Sequence, residues 1–364
     1  MIDNDSGLIN GADVALNSDS IANNNSFNID GRGVVEANQT LTVNADISLD
    51  NSGGVLRSVG LNGSTELNAG NEVDNTLGVI ETNNADLTIN TQTLINDSGR
   101  IQQASQEGSS TVTNIVASVV SNINQGLIVI ADFLSISDTD NIDNTQGSIQ
   151  ASQLSLSTQG ELNNTNGVIN QTSNSDQQID AQVLINSQGR IESLAENFTI
   201  NSDSQIDNLS GTIAHIGQGT LELNAQSVNN QQGALLSNGV NQITLTGELD
   251  NSNTSIIASN LPQGVVGNQV VIQAQGIDNS SGRIQSSSQV TLDALAGDIN
   301  NQDGVIIASA NDVGSISTVD AQTINNVNGS IRIDSEAVTF TATNIENDDA
   351  VSYTHLTLPT TPYV

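Results

Sequence analysis

The feature that most constrains this chain is a short sequence pattern that recurs along nearly its whole length. The pattern is an apolar residue, Asp or Asn, a second Asn, two variable residues, Gly, one variable residue, and Ile or Leu. Clear copies are I-D-N-T-Q-G-S-I at 142–149, I-D-N-S-S-G-R-I at 277–284 and I-N-N-Q-D-G-V-I at 299–306. Regular self-similarity of this kind is the signature of a repeat protein whose units stack on one another.

The second Asn of the pattern marks each repeat. Marks run from Asn4 to Asn347, recur about every 23 residues and include degenerate copies at Asn28 and near Asn122. Asn tolerates left-handed backbone angles and Gly adopts positive φ without penalty, so the pattern predicts a turn. Identical Asn side chains in successive turns can also bond to one another as a ladder. The residues of this predicted turn ladder are Asn51, Asn75, Asn96, Asn144, Asn164, Asn186, Asn208, Asn230, Asn279, Asn301 and Asn326, with Gly54, Gly78, Gly99, Gly147, Gly167, Gly189, Gly211, Gly233, Gly282, Gly304 and Gly329.

Short runs with alternating apolar residues lie between the marks, as at 87–89 (L-T-I), 221–223 (L-E-L) and 338–340 (V-T-F). Alternation with a period of two predicts short, half-buried strands. Such strands cannot form a core alone, but the stacked coils of a parallel β-helix bury them against each other. The sequence therefore predicts an all-β fold, a parallel β-helix of about 15–16 coils.

Two columns of aliphatic residues are expected to fill the interior of this β-helix. One column comes from the residue five positions after each marked Asn, and the other from the residue two positions before it. The first column contains Ile80, Ile101, Ile149, Ile169, Ile191, Ile213, Ile284, Ile306 and Ile331, and the second contains Leu49, Val73, Ile142, Leu162, Ile206, Ile277 and Ile299.

Composition narrows the classes of function. Of the 364 residues, 40 are acidic and 6 are basic, which gives a formal charge of -34. Such a surface repels nucleic acid and anionic lipid, since both are bound through clustered cations. The chain has no Cys, which excludes disulfides and thiolate chemistry. No apolar run approaches the ~20 residues that span a membrane, so no membrane insertion is expected.

Two groups of residues suggest chemistry but also have a plainer interpretation. Asp138, Asp140 and Asp143 form D-T-D-N-I-D, whose spacing hints at a calcium loop, but Ile142 occupies a position where a ligand would be expected. We therefore expect a solvated turn there. His215 would suit a general base, yet no motif marks a nucleophile or an orienting acid, so a surface position on a strand is expected.

A third group consists of Arg residues that each follow a marked Asn by four positions. They are expected to share one outward row several coils apart, as isolated cations among acidic neighbours rather than as an anion site. The four are Arg32, Arg100, Arg190 and Arg283. No catalytic residue, cofactor or metal is therefore assigned to this chain.

The repeat pattern divides the chain into two parts, one that has it and one that lacks it. Residues 1–350 are expected to be an internal, uncapped segment of a longer repeat shaft, and residues 351–364 a non-repeat tail that is not native. Two intervals between marks, 102–118 and 258–270, are longer than the others. They are expected to bulge as loops, which in solenoids often lie on the binding face.

Several units resemble the central repeats of the filamentous haemagglutinin family, among them L-D-N-S-G-G-V-L at 49–56, L-I-N-D-S-G-R-I at 94–101 and I-D-N-S-S-G-R-I at 277–284. These exoproteins of Gram-negative two-partner secretion include adhesins and the stalks of contact-dependent growth inhibition toxins. The resemblance covers about residues 1–350 and implies a right-handed β-helix. It also implies export through an outer-membrane two-partner secretion transporter, by way of regions absent here, and a secreted or cell-surface location.

Three hypotheses of function follow. The first is a non-enzymatic shaft that holds a distal adhesive region away from the cell, with the stalk of a contact-dependent growth inhibition toxin as its alternative. In the second, the segment itself binds a host or bacterial cell-surface receptor through 102–118 or 258–270. The third is a β-helix polysaccharide lyase or hydrolase, which would need clustered carboxylates, a basic residue and a cleft.

Overall fold

The chain forms two compact units, Met1–Asp207 and Asn208–Val364. No helix occurs in the part of the chain that the computed structural model describes, and the strands there pair in parallel. Likewise, no helix in that part is long and apolar enough to cross a membrane. The described residues are 1–25, 31–60, 63–83, 86–105, 110–259, 268–309 and 315–354.

The strands of the first unit are β1 (Ile2–Asp3), β2 (Leu8–Gly11), β3 (Val14–Ala22), β4 (Val34–Ala37), β5 (Leu41–Asp50), β6 (Val55–Ser58), β7 (Ser64–Ala69), β8 (Glu72–Asp74), β9 (Val79–Asn83), β10 (Asp86–Ile95), β11 (Arg100–Ala104), β12 (Val112–Ser121), β13 (Leu127–Asp143), β14 (Ser148–Asn163), β15 (Val168–Gln171), β16 (Gln177–Ile185), β17 (Arg190–Ser193) and β18 (Phe198–Asp207).

The strands of the second unit are β19 (Thr212–His215), β20 (Thr220–Ala225), β21 (Ser227–Asn229), β22 (Ala234–Ser237), β23 (Val240–Leu245), β24 (Glu248–Asp250), β25 (Ile256–Ser259), β26 (Gln269–Gln273), β27 (Gly276–Asp278), β28 (Arg283–Ser286), β29 (Gln289–Asp293), β30 (Ile299–Asn300), β31 (Val305–Ala308), β32 (Ile316–Asp320), β33 (Thr323–Asn325), β34 (Ser330–Ile333), β35 (Ala337–Thr341), β36 (Asn344–Glu346) and β37 (Val351–Thr354).

Each turn of the second unit contains three strand segments that stack on their counterparts in neighbouring turns. The segment after the turn glycine forms the column β19, β22, β25, β28, β31, β34 and β37. A corner then leads to the column β20, β23, β26, β29, β32 and β35. The third column consists of the short strands β21, β24, β27, β30, β33 and β36, each of which ends just before a marked Asn.

The first unit follows the same plan with longer strands. Its second and third segments often join into one strand, as in β12 and β16, and β13 and β14 run through all three segments. Register shifts in the pairing, such as the one between Val116 and Val119, mark the bends at which these strands change direction. The stacking of turns is therefore preserved while the strand count per turn varies.

Alternate strand positions fill the interior of each turn. Both predicted aliphatic columns are buried, and their most exposed member is Ile331 at 4%. Further apolar side chains come from the second segment, as with Leu87 and Ile89, and Phe198 is the largest side chain that is fully buried. Stacked aliphatic side chains fill such a narrow interior closely without large rings, which is consistent with an aromatic content of only 2%.

Each unit is thus a β-solenoid whose turns are roughly 22 residues apart. The predicted all-β, parallel, stacked architecture is confirmed.

The prediction that 102–118 forms a loop is wrong for most of that interval. Strand β11 continues to Ala104 and strand β12 begins at Val112. The start of β12 alternates between half-buried and buried positions, and Ile115 is fully buried, so the period of two was present in the sequence. Asp132 holds Thr111, the residue just before β12. Its Oδ2 accepts hydrogen bonds from the N–H (2.9 Å) and the hydroxyl (2.6 Å) of Thr111.

Two other predicted segments lie partly outside the described residues. In the interval 258–270, strand β25 ends at Ser259 and β26 begins at Gln269, and 260–267 fall outside. In the tail 351–364, the first four residues form β37, which pairs with β34, and 355–364 fall outside.

Two buried glutamines near one corner of the first unit differ in their hydrogen bonding. Gln171 accepts the N–H of Leu154 through Oε1 (2.9 Å) and donates to the carbonyl of Ser173 (3.4 Å). Gln177 is 2% exposed, and neither atom of its amide has a hydrogen-bond partner among the described residues. It stands in register with the buried Phe198 of the next turn, so an amide occupies a place in an apolar column.

We expect Gln177→Leu to raise the free energy of unfolding by about 1–2 kcal/mol, because it replaces an unpartnered buried amide with an aliphatic side chain of similar size. Gln171→Leu is the matched control. It should lower the free energy of unfolding by about 1–3 kcal/mol, because it leaves the Leu154 N–H unpaired. Denaturant unfolding followed by circular dichroism measures both, and effects of the same sign would contradict this account.

Candidate functional site

The most regular polar feature of the structure is a column of asparagines from successive turns, which we call the asparagine column and whose members are buried except for the last, Asn347. Every asparagine of the predicted turn ladder lies in it. Its members in the first unit are Asn4, Asn23, Asn51, Asn75, Asn96, Asn122, Asn144, Asn164 and Asn186. Its members in the second unit are Asn208, Asn230, Asn251, Asn279, Asn301, Asn326 and Asn347.

Hydrogen bonds join successive side chains of the column. Asn144 is representative: its Nδ2 donates to Oδ1 of Asn164 at 2.7 Å and to the carbonyl oxygen of Val168 at 3.1 Å. Its Oδ1 accepts from Nδ2 of Asn122 at 2.7 Å, and its backbone N–H donates to the carbonyl of Asn163 at 2.7 Å. The side chain is 0% exposed, and both its amide donor and its acceptor are used, as a buried amide requires.

The bonds of the column run in one direction within each unit, from Nδ2 of one turn to Oδ1 of the next. Aligned hydrogen bonds in a low-dielectric interior polarise and strengthen one another. The bonded asparagines are between 19 and 28 residues apart in sequence, yet the bond length stays between 2.6 and 2.8 Å. The column therefore holds the register of turns that differ in length.

A tight turn follows most of the column asparagines. In one example, the N–H of Gly147 donates to the carbonyl of Asn144 at 3.0 Å, and Gln146 before the glycine has a φ of 58°. A positive φ at the third position is the pattern of a type II turn. The expectation that the pattern glycine itself takes the positive φ is therefore wrong: in the first unit Gly53 does so, but it precedes the pattern glycine Gly54.

Close packing explains the pattern glycine instead. A Cβ at Gly147 would clash with the carbonyl oxygen of Asn122 in the preceding turn and with Oδ1 of its own Asn144. Gly211 closes the equivalent turn of Asn208 through a hydrogen bond of 3.0 Å. The same pair of clashes with the asparagines of the preceding turn and of its own turn recurs at Gly54, Gly78, Gly99, Gly167, Gly189, Gly233, Gly282, Gly304 and Gly329.

The irregular turns show why part of the column is hidden in the sequence. Asn23 bonds to both Asn4 and Asn51, so it holds the place that the marks assigned to Asn28, a residue outside the described part of the chain. The glycine that packs on Asn23 is Gly33, well downstream, because an insertion separates the two. At Asn251 a serine replaces the glycine, and the buried hydroxyl of Ser255 bonds to the Asn251 carbonyl.

The residue before a column asparagine often caps the turn through its own side chain. Asp50 accepts the N–H of Ser52 through Oδ1 (2.9 Å) and the side-chain amide of Asn24 through Oδ2 (2.9 Å). Burial raises the pKa of Asp50. The hydrogen bonds from the Ser52 hydroxyl, the Asn24 amide and the Ser52 N–H outweigh burial and hold the pKa below its usual value.

His215 lies inside the second unit, so the predicted surface position is wrong. It is 2% exposed, and its Nδ1 is 3.0 Å from the hydroxyl oxygen of Ser237, which is 3% exposed. The reason is the period of two: His215 follows the buried Ile213 by two residues in one strand, so both side chains point to the same side. The pair is a serine beside an imidazole, but its burial keeps a polymeric substrate away from both groups.

The three aspartates of D-T-D-N-I-D belong to strand β13 rather than to a loop. Asp138 and Asp140 are exposed on either side of the buried Thr139, and Asp143 caps a turn by accepting the N–H of Thr145 at 2.9 Å. Among the described residues, no group of three or more His, Asp or Glu side chains could hold a metal ion.

Three of the four arginines share the predicted position, and one does not. Arg100, Arg190 and Arg283 each begin the strand after the turn glycine, and Arg190 pairs with Glu192 in the same strand. Arg32 instead comes before Gly33, the glycine that packs on Asn23, and it is exposed. The misplacement of Arg32 follows from the choice of Asn28 as the mark, because the column residue of this turn is Asn23.

Sequence reasoning missed a second row of asparagines on the surface of the first unit, which we call the outer amide row: Asn17, Asn44, Asn68 and Asn90. Nδ2 of Asn44 donates to Asn17 (2.8 Å), that of Asn68 to Asn44 (2.9 Å) and that of Asn90 to Asn68 (2.7 Å), each to Oδ1. The signal was present as an Asn after each alternating run, in V-A-L-N, L-T-V-N, T-E-L-N and L-T-I-N.

The recurring polar residues of the pattern build the turns and hold them together. The column asparagines join turns, and the glycines allow the turns to approach. The acidic and amide side chains directly before the column asparagines cap the turns.

No protein-family model matches this chain. Searches of the curated proteins and of the solved structures found no match either.

Replacing one column asparagine tests the role of the column. We expect Asn144→Leu to lower the free energy of unfolding by about 3–5 kcal/mol, because it leaves one side-chain N–H of Asn122 and the Oδ1 of Asn164 buried without their partner. The half-buried, outward Asn170 in β15 provides the control, and Asn170→Leu should change stability by no more than about 0.5 kcal/mol. Chemical denaturation compares the two, and a small effect of Asn144→Leu would show that the column does not hold the turns together.

Asp50 gives the fold a defined pH dependence. Because its folded pKa lies below the unfolded value of about 3.9, ionised Asp50 stabilises the fold above that pH, and the contribution is lost as pH falls through the folded pKa. Asp50→Asn keeps an Oδ1 acceptor but does not titrate. The stability advantage of the wild type over this variant should be full at about pH 7 and shrink below about pH 4 in thermal unfolding. A constant advantage across this range would contradict the assignment.

Proposed function

We propose that this chain is a structural shaft segment of a large secreted or surface-displayed bacterial adhesin, similar to the filamentous haemagglutinin family. The asparagine column carries the proposal. Turn after turn, the recurring polar residue bonds one turn to the next and the recurring aliphatic residues fill the interior. A repeat chain built in this way adds one equivalent contact with each turn, which suits a spacer whose length matters more than any single residue.

The surface supports the same proposal. A formal charge of -34 keeps a long chain soluble and discourages lateral association between copies. From the resemblance of the repeats, we infer export through an outer-membrane two-partner secretion transporter and a location at the surface of a Gram-negative bacterium. A host or bacterial cell-surface receptor would then be bound by another region of the parent protein.

Two alternatives use the same fold. The stalk of a contact-dependent growth inhibition toxin makes the same mechanical demand, and the sequence flanking this chain distinguishes it from an adhesin shaft. A β-solenoid is also compatible with a polysaccharide lyase. The shaft is favoured because the recurring residues are used inside the fold, to join and fill turns, rather than gathered in a surface cleft.

The test removes one whole turn or part of one. Deleting 145–164 joins Asn144 to the residue that follows Asn164, so each remaining turn keeps its column asparagine. Deleting 145–154 breaks the register. Each version is placed between the secretion domain of a two-partner exoprotein and an epitope tag, and exported from a Gram-negative host.

A shaft should tolerate the loss of the whole turn, with the tag accessible to antibody on intact cells and the chain resistant to protease. The partial deletion should lose both properties. A chain that fails to reach the surface, or that loses protection after the whole-turn deletion, would contradict the proposal. Release of unsaturated uronate products from polygalacturonate by the purified chain, with calcium added, would favour the lyase instead.

A further inference from the structure

A shallow groove of about 480 Å³ runs beside the outer amide row in the first unit. It spans three successive turns, and each turn contributes an outer amide together with the residue two positions further on. The residues of these two sets are Asn44, Asn68 and Asn90, then Asp46, Gly70 and Gln92. Ala45 and Ala69, which lie between the sets, are small and nearly buried.

The groove is built into the fold at a bend of the strands. Strand β7 ends at Ala69 and β8 begins at Glu72, so the chain turns a corner at Gly70. A Cβ at Gly70 would clash with the carbonyl oxygen of Asp46 in the preceding turn, so this position stays without a side chain. The space beside the amides is therefore a consequence of how closely the two turns pack.

The outer amide row is ordered in advance by its own hydrogen bonds. Asn44 and Asn90 each use one N–H of Nδ2 for the neighbouring asparagine, so each keeps a second N–H. Asn68 uses both, because it also donates to Oε1 of Glu66 at 2.9 Å. Side chains fixed in this way lose little conformational freedom when a ligand binds, which favours recognition by otherwise weak polar contacts.

The chemistry of the lining selects a class of ligand. The groove offers amide donors and acceptors and the carboxylate of Asp46, and its lining contains no cationic residue. Phosphate, sulfate and uronate groups are disfavoured by this field, whereas neutral hydroxyls bond well to amides and carboxylates.

The distance between turns also matches the length of a sugar residue. Successive turns are about 4.8 Å apart along the stacking direction, which is close to the length of one pyranose residue in an extended chain. We propose that this groove binds a neutral, extended oligosaccharide that lies along the stacking direction, with one sugar residue per turn held by the outer amide row. The proposal is independent of the shaft function, because it rests on other residues and another surface.

The experiment titrates the purified full chain with cellohexaose and with mannohexaose, both neutral and β-linked, and with hexagalacturonic acid as the charged counterpart of equal length. Isothermal titration or ligand-observed NMR should show a neutral hexasaccharide binding with a dissociation constant of about 1 mM or below. The charged counterpart should bind at least about tenfold more weakly. If neither neutral hexasaccharide binds in this range, or if hexagalacturonic acid binds more tightly, the proposal is overturned.

Matched variants locate the binding. Asn44→Ala and Asn90→Ala should each weaken binding by about tenfold. Asn201→Ala is the control, because Asn201 occupies the same register position further along the first unit and donates to Asp180 at 2.8 Å, but does not line the groove. Circular dichroism and the thermal midpoint establish that each variant is folded. Equal affinity for Asn44→Ala, Asn90→Ala and Asn201→Ala in folded chains would place binding elsewhere and overturn the assignment.

Discussion

A parallel solenoid depends on each turn returning to the register of the turn before it, and no hairpin fixes that register. Here the buried amide-to-amide hydrogen bond does so. An asparagine side chain carries a donor and an acceptor on one planar group, so it can receive a bond from the preceding turn and give one to the next. An aliphatic residue at the same place would fill space equally well but would not distinguish the correct register from one shifted by two residues.

The same bond explains which parts of the fold could be predicted from sequence. Where Asn, Gly and Ile keep their spacing, as at 142–149, the pattern identifies the turn, the inward Ile and the column residue together. Where the spacing breaks, it does not: the insertion before Gly33 concealed Asn23, and the length of 102–118 concealed a regular strand. His215 was misplaced although its spacing from Ile213 already assigned it to the interior. The role of the pattern glycine depends on the distance between two turns, which one repeat cannot reveal.

The outer amide row and its groove were beyond the reach of the repeat pattern for a different reason. Outward residues of successive turns become neighbours only after turns of unequal length have been brought into register. Asn44, Asn68 and Asn90 are unevenly spaced in the sequence, and only the pairing of β5, β7 and β10 aligns them. The interior is thus fixed by a rule that each turn repeats, whereas the exterior is free to differ. A surface of this kind can acquire a binding groove over a few turns without disturbing the core.

The turns of each unit present nearly the same upper and lower surfaces, because the column asparagine, the glycine and the inward Ile recur at each junction. At the level of the gene, this makes a turn an exchangeable block. Unequal recombination between two repeats, in frame, deletes or duplicates a turn whose new neighbours offer the contacts of the old ones. Lineages carrying such a gene can therefore change the length of the encoded protein in steps of one turn, while each intermediate still folds.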